Sequence, residues 1–309
     1  MPKPLPPQTV QALSPPANAS FPYVFFEDVA ANPFQPGDAS FNLCNAWWLM
    51  DAAFLAYSDE ATIKAEFLKI TGATVQTFFG RRSTQCYVVS TNQWIVLAFR
   101  GTQVDDFWQA VVDWTTDAEL IPVHDAHGDR VHAGFKSALE EVWDDVSDYI
   151  LSLQSALSRP LWITGHSLGA ALATVAANLC SDDPALGFVG LYTYGSPRVG
   201  DRGFGALIPP SVVYRFQNDS DIVTQVPFGF GFHHIGAVEF IDGAGHLHPN
   251  VNRATQLFLQ TGGALSSVAA LSVAGLLSGG GGSLPLPGFL ADHAPINYAI
   301  LVWNCYEAI

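Results

Sequence analysis

Apolar residues occupy most of one helical face over NAWWLMDAAFLAY (45–57), with no glycine or proline, and predict a buried helix. Further on the period changes. QCYVVST (85–91) and WIVLAFR (94–100) are rich in β-branched and aromatic residues around a polar link, which predicts a hairpin. Leu139, Val142, Val146, Ile150 and Leu153 recur at three- and four-residue steps, so 137–157 reads as one amphipathic helix. LWIT (161–164) is a short buried strand, and LGAALATVAANLC (168–180) a helix of small residues. FVGLYTY (188–194) and VVYRFQN (212–218) read as strands, VEFID (238–242) as an antiparallel edge, and APINYAILVW (294–303) as a last helix. Strands alternating with helices predict an α/β fold with a mainly parallel central sheet covered on both faces.

Two stretches break the pattern. Residues 1–22 carry seven prolines, which predicts an extended, partly mobile arm. The domain reading is therefore a proline-rich arm over 1–40 and a single domain over 41–309. From Ala254 to Ala291 there is no charged residue and no histidine, and a run of four glycines starts at Gly279. Its apolar run is shorter than the roughly 20 residues a bilayer span needs, so an apolar insertion is expected, packed on the core or forming a flap.

The 309 residues are 49% hydrophobic and 13% charged, which excludes a disordered chain and supplies a large core. The net charge of −15 repels phosphate backbones, so nucleic acid is not an expected partner. Docking onto a neutral oil surface stays open. Cys44, Cys86, Cys180 and Cys305 form no CxxC pair, and buried thiols are the default. No basic segment leads an apolar run at the N-terminus, so no secretory signal is visible.

The candidate chemistry sits at Gly165-His166-Ser167-Leu168-Gly169, between a strand and a helix. A serine on that corner has strained backbone angles, and side chains in place of the two glycines would strike strand and helix. A serine hydroxyl needs a base within hydrogen-bond reach, and the base needs an orienting acid, here expected in the order serine, acid, histidine. Asp219 and Asp221 compete as the acid. Asp221 precedes an apolar pair, whereas Asp219 lies in a polar turn. Of nine histidines, His233, His234, His246, His248 and His293 follow in order, and His293, in a loop just before a helix, is favoured modestly. The histidine pairs lack a metal-ligand pattern, and no nucleotide motif is present, so neither metal nor cofactor is expected.

Seven motifs in order, AFRGT (98–102), DW (113–114), VHAGF (131–135), TGHSLGAALA (164–173), YGSPRVGD (194–201), NDSDIVTQVP (218–227) and DHAPINY (292–298), resemble the class 3 lipase family, the fungal-type triacylglycerol lipases and their bacterial relatives. The resemblance implies an α/β-hydrolase with Ser167 as nucleophile, Asp221 as acid and His293 as base. It also implies oxyanion donors at Thr102 and at the Leu168 N–H. It places a lid helix over 103–114, where Phe107, Trp108, Val111 and Val112 share one face, and allows a Cys44–Cys305 disulfide. The implied activity is carboxylic-ester hydrolysis on triacylglycerol or another medium- to long-chain ester, by a monomer at an oil–water interface. Short-chain, phospholipid and feruloyl esters remain alternatives, as does a catalytically silent lipid-binding protein. The family favours an extracellular location, while the missing signal leaves a cytoplasmic one open. Arg198 and Asp201 are expected to fix a loop, and His132 and Gly134 to shape the approach to the helix at 137.

Overall fold

The computed structural model describes residues 1–80, 84–102, 108, 122–227, 231–260 and 285–309. In chain order its elements are α1 (Val10–Leu13), α2 (Leu43–Leu55), α3 (Glu60–Phe67), β1 (Thr74–Phe79), β2 (Gln85–Ser90), β3 (Ile95–Phe99), β4 (Pro122–His124) and β5 (Arg130–His132). They continue with α4 (Ala133–Glu140), α5 (Trp143–Ala156), β6 (Leu161–His166), α6 (Leu168–Asp182), β7 (Gly190–Tyr194), α7 (Arg202–Ala206) and β8 (Val213–Asn218). The chain closes with β9 (Ala237–Ile241), β10 (Leu247–Pro249), α8 (Arg253–Leu259), α9 (Gly288–Ala291) and α10 (Pro295–Glu307).

One eight-stranded sheet runs in the order β1-β2-β3-β6-β7-β8-β9-β10. Its centre, β3 to β9, is parallel, and β1, β2 and β10 extend it antiparallel. Both faces are covered. Tyr87, Val89, Val96 and Ala98 point into a core closed by α2 and α10. Cys86, Val88, Ile95, Leu97 and Phe99 point into the opposite core, under α4, α5 and α6. This is why β2 and β3 read as unbroken apolar runs rather than alternating ones. α2 is buried on all sides because it lies between the sheet and α10, where Trp47 and Trp303 meet at 4.8 Å.

Three expectations need correction. The helix over 137–157 is two: Val142 leaves helical geometry at ψ −10° and its N–H bonds Leu139 O, ending α4 before α5 starts. Leu139, Val142, Val146 and Ile150 all remain in one core, so the apolar period runs straight through the break. VEFID is not the sheet edge. It pairs parallel with β8, and the edge is β10, three residues too short to leave a pattern. The proline-rich segment is not a free extended arm. Phe26 packs on Trp48 and Phe67, Phe34 on Trp94 and Trp162, and Trp303 donates to Met1 O. Those aromatics supply apolar area that outweighs the extended bias of the prolines. All four cysteines are free, buried thiols, the default expected of them, and the Cys44–Cys305 bridge that the resemblance allowed is not formed. Cys44 faces Asn32 O and Pro33 O, and Cys305 faces Gly245 O.

Candidate active site

β6 ends at His166 and α6 starts at Leu168, so Ser167 alone makes the corner, at φ 58° and ψ −127°. The corner is held by Ser167 N–H donating to Tyr194 O, 3.0 Å away. A Cβ on Gly165 would lie 2.2 Å from Gly169 O, and one on Gly169 would lie 2.3 Å from Phe99 O. Only glycine lets α6 start this close to the sheet. Ala170, Ala171 and Ala173, all buried, continue the close approach.

Asp221 follows β8 and opens a short 3-10 turn over Ile222–Gln225. His293 lies between α9 and α10, its N–H bonded to Leu290 O. The sheet brings the three together. His293 Nε2 is 2.8 Å from Ser167 Oγ, and His293 Nδ1 is 2.9 Å from Asp221 Oδ2. Asp221 and His293 are wholly buried and Ser167 nearly so. A carboxylate only accepts, so Nδ1 carries the proton and Nε2 is left to accept from the serine hydroxyl. Asp219, the competing acid, takes a turn conformation at φ 27° and contributes its N–H to Ile241 O.

Three further residues brace this arrangement and were not legible in the chain. Tyr298 on α10 donates its hydroxyl to Asp221 Oδ2 at 2.6 Å, while Val223 N–H donates to Oδ1 at 2.9 Å. Burial and the Asp221 charge push the Tyr298 phenol well above its ordinary range, so it stays a donor. His166 Nε2 lies 2.8 Å from His293 O, and its Nδ1 lies 2.8 Å from Tyr57 OH. A carbonyl only accepts, so His166 donates through Nε2 and accepts the Tyr57 proton at Nδ1. Burial, with His293 beside it, holds His166 well below its usual pKa and hence neutral. Gly195 gives these side chains room: a Cβ there would stand 2.9 Å from both Asp221 Oδ2 and His293 Cε1.

Thr102 and Leu168 open onto one cavity of about 340 Å³, shared with Arg100, Ser137 and Leu172. Gly101 is needed before Thr102 because a Cβ would fall 1.9 Å from Tyr57 OH. The lid expectation over 103–114 lies outside the described residues except for Trp108, which is buried with Nε1 bonded to Ser14 Oγ at 2.8 Å. The insertion expected at 254–291 is described only at its ends, by α8 and α9.

The other histidines have separate tasks. His234 Nε2 faces Thr224 O, His248 Nε2 faces Asp242 Oδ2, each at 2.8 Å, and His132 Nδ1 accepts Gly134 N–H. Asp201 caps α7 and pairs with Arg130 at 3.2 Å, and Arg198 donates to Pro227 O at 2.8 Å, so both fix loops as expected. Among the described residues no group of three or more could hold a metal ion, and no helix is long and apolar enough to cross a membrane.

Residues 96–230 match the family model described as Lipase (class 3). Over that stretch the chain is similar to the class 3 lipases. A lipase of Caenorhabditis elegans is 32% identical over 212 residues, which are 63% of this chain and 58% of that one. A lipase of Rhizopus niveus is 35% identical over 184 residues, 55% of this chain and 45% of that one. The chain thus spans about half the length of these curated relatives. The solved triacylglyceride lipase of Rhizomucor miehei superposes with a TM-score of 0.54 at 26% identity, covering 63% of this chain and 78% of its own. Like that lipase, this chain has an α/β-hydrolase fold, with a mainly parallel sheet flanked by helices.

Two consequences follow for the site. Tyr298→Phe removes one charge-assisted donor from a buried carboxylate, worth about 1.5–3 kcal/mol. Any turnover that runs through Ser167 and His293 is expected to drop roughly tenfold or more with little change in KM, measured by steady-state kinetics. Asp292 sits beside His293 with its carboxyl pushed up to about 7, by burial first and then by Asp219 and Asp221. Its folded pKa exceeds the unfolded one, so its charge destabilises the fold progressively as pH rises from the ordinary carboxyl range to about 7. Asp292→Asn should therefore raise Tm at pH 8 and change it little at pH 4, read from paired thermal melts. Equal shifts at both pH values would show that the carboxyl is not perturbed.

Proposed function

We propose that the chain is a carboxylic-ester hydrolase acting on triacylglycerol or another medium- to long-chain acyl ester. The observation that carries the reading is the buried line from Ser167 Oγ through His293 to Asp221, with contacts of 2.8 and 2.9 Å. Ser167 Oγ attacks the ester carbonyl while His293 Nε2 takes the hydroxyl proton. Asp221 keeps the imidazole in the tautomer that can accept, and stabilises the imidazolium once formed. The tetrahedral oxyanion is held by Thr102 and the Leu168 N–H, with about 3 kcal/mol from each such donor. His293 then protonates the departing alcohol, the C–O bond breaks, and an acyl-serine remains. Water, deprotonated by His293, attacks the acyl carbon and releases the acid. The relatives' names support the ester class, and a complete triad argues against a silent binding protein on the same scaffold.

The same reading makes 103–114 a cover whose oily face meets lipid, residues 41–309 the catalytic unit, and the working form a monomer. Hydrolysis of p-nitrophenyl esters from acetate to palmitate, followed by an emulsified triacylglycerol, tests the substrate class. Rates that rise with acyl length and on the emulsion are expected. Activity confined to short soluble esters would make the protein a plain esterase.

A further inference from the structure

Behind the turn that begins at Asp221, a cavity of about 240 Å³ opens between β8, the start of β9 and the N-terminal end of α8. Arg215, Gln217, Gln225, Asn250, Arg253 and Gln256 are among its walls, and no described carboxylate lines it. Arg215 projects from β8 with its Nε and Nη1 atoms buried and without a hydrogen-bond partner. Arg198 stands close by, its guanidinium spent on Gln225 O and Pro227 O of the adjacent turn. Burial first, and then the Arg198 charge, push Arg215 down to about 10, against the opposing pull of Glu239 on β9, whose own carboxyl burial raises to about 7; Glu239 Oε2, like Arg215 Nε and Nη1, has no hydrogen-bond partner. The chain has only 13 lysines and arginines against 28 acids, so a positive pocket free of acid walls does not follow from its average charge. His234 adds no charge to the cavity: burial and Arg215 hold it well below its usual pKa and hence neutral, and its Nε2 faces Thr224 O.

A buried guanidinium whose N–H groups are unpaired is costly unless an acceptor arrives. Phosphate oxygens match the guanidinium fork, and the surrounding amides offer further donors. We propose that this cavity binds a phosphate-type oxyanion, gripped by Arg215 inside and Arg253 at the rim, with the Gln225 and Asn250 side chains completing the shell. The group can come from free phosphate or from a lipid headgroup. The second source is relevant because Leu257 and Phe258 stand exposed on α8, the helix that starts at Arg253. The site is separate from the ester chemistry and does not depend on it.

The test uses the full chain, with thermal melts in phosphate and in chloride at equal ionic strength. Phosphate should raise Tm of the wild type beyond the chloride control, by mass action on the folded state. Arg215→Gln should lose that increment, yet be at least as stable as the wild type without phosphate, because it removes an unpaired buried charge. Arg253→Gln, altered at an exposed position, should fold normally and bind phosphate about tenfold more weakly. A second arm sediments the protein with phosphatidylcholine vesicles with and without phosphatidic acid. Retention that needs both phosphatidic acid and Arg215 assigns the lipid source, while a phosphate increment without retention assigns the free ion. Equal phosphate increments in the wild type and Arg215→Gln, or no Arg215-dependent effect in either arm, would overturn the proposal.

Discussion

Ser167→Ala is expected to lower kcat for ester hydrolysis by about 10⁵–10⁶-fold while leaving the fold intact. The loss is that large because Ser167 Oγ, 2.8 Å from His293 Nε2, is the atom that attacks, and alanine leaves nothing in its place. The fold survives because the corner is set by the backbone, through the Ser167 N–H bond to Tyr194 O and the close approach at Gly165 and Gly169. Alanine keeps all of these and removes one hydroxyl. Residual turnover would come from the oxyanion donors and binding alone. The check is steady-state hydrolysis beside a thermal melt. Retention of more than about a hundredth of the rate, with an unchanged melt, would remove Ser167 from the nucleophile's role.

Asp221→Asn is the second large effect, with kcat expected to fall about 10⁴-fold. Asp221 accepts from His293 Nδ1, Tyr298 OH and Val223 N–H at once. An asparagine can keep its oxygen toward two of those donors. Its amide then turns N–H groups toward His293 Nδ1, which must give up its proton to accept. The proton moves to Nε2, and the imidazole can no longer take the serine proton. The loss should far exceed that of Tyr298→Phe, which spares the tautomer and weakens only its support. If the two variants lose comparable activity, Asp221 acts as packing rather than as the orienting acid. Kinetics of both variants at one pH, with melts as control, separate the cases.

What the chain reveals about itself follows from which constraints are local. The elbow is legible because sterics act between near neighbours: a side chain at 165 or 169 meets backbone four residues away or at the end of β3. The hairpin of β2 and β3 is legible because its partners are adjacent and its register follows from one short link. Asp221 and His293 are legible only as candidates, since their order along the chain limits the choice and folding makes it. Tyr57, Tyr298 and His166 leave no signal, because a buried tyrosine that donates to a carboxylate looks like any other core aromatic until the sheet brings it there. Likewise the prolines of the N-terminal segment speak for extension, while Phe26 and Phe34 commit it to the core through partners far along the chain. The break between α4 and α5 is hidden because both helices keep the same apolar stripe against one core.

The most direct test of the central claim is covalent labelling with an alkyl phosphonate ester, followed by intact mass and peptide mapping. A phosphonate is attacked as an ester is, but the adduct resists water and remains on the nucleophile. The account predicts one adduct per chain, on Ser167, absent from the heat-unfolded protein and from Asp221→Asn at short times. A folded protein that takes up no label, or carries it on another residue, would contradict the account.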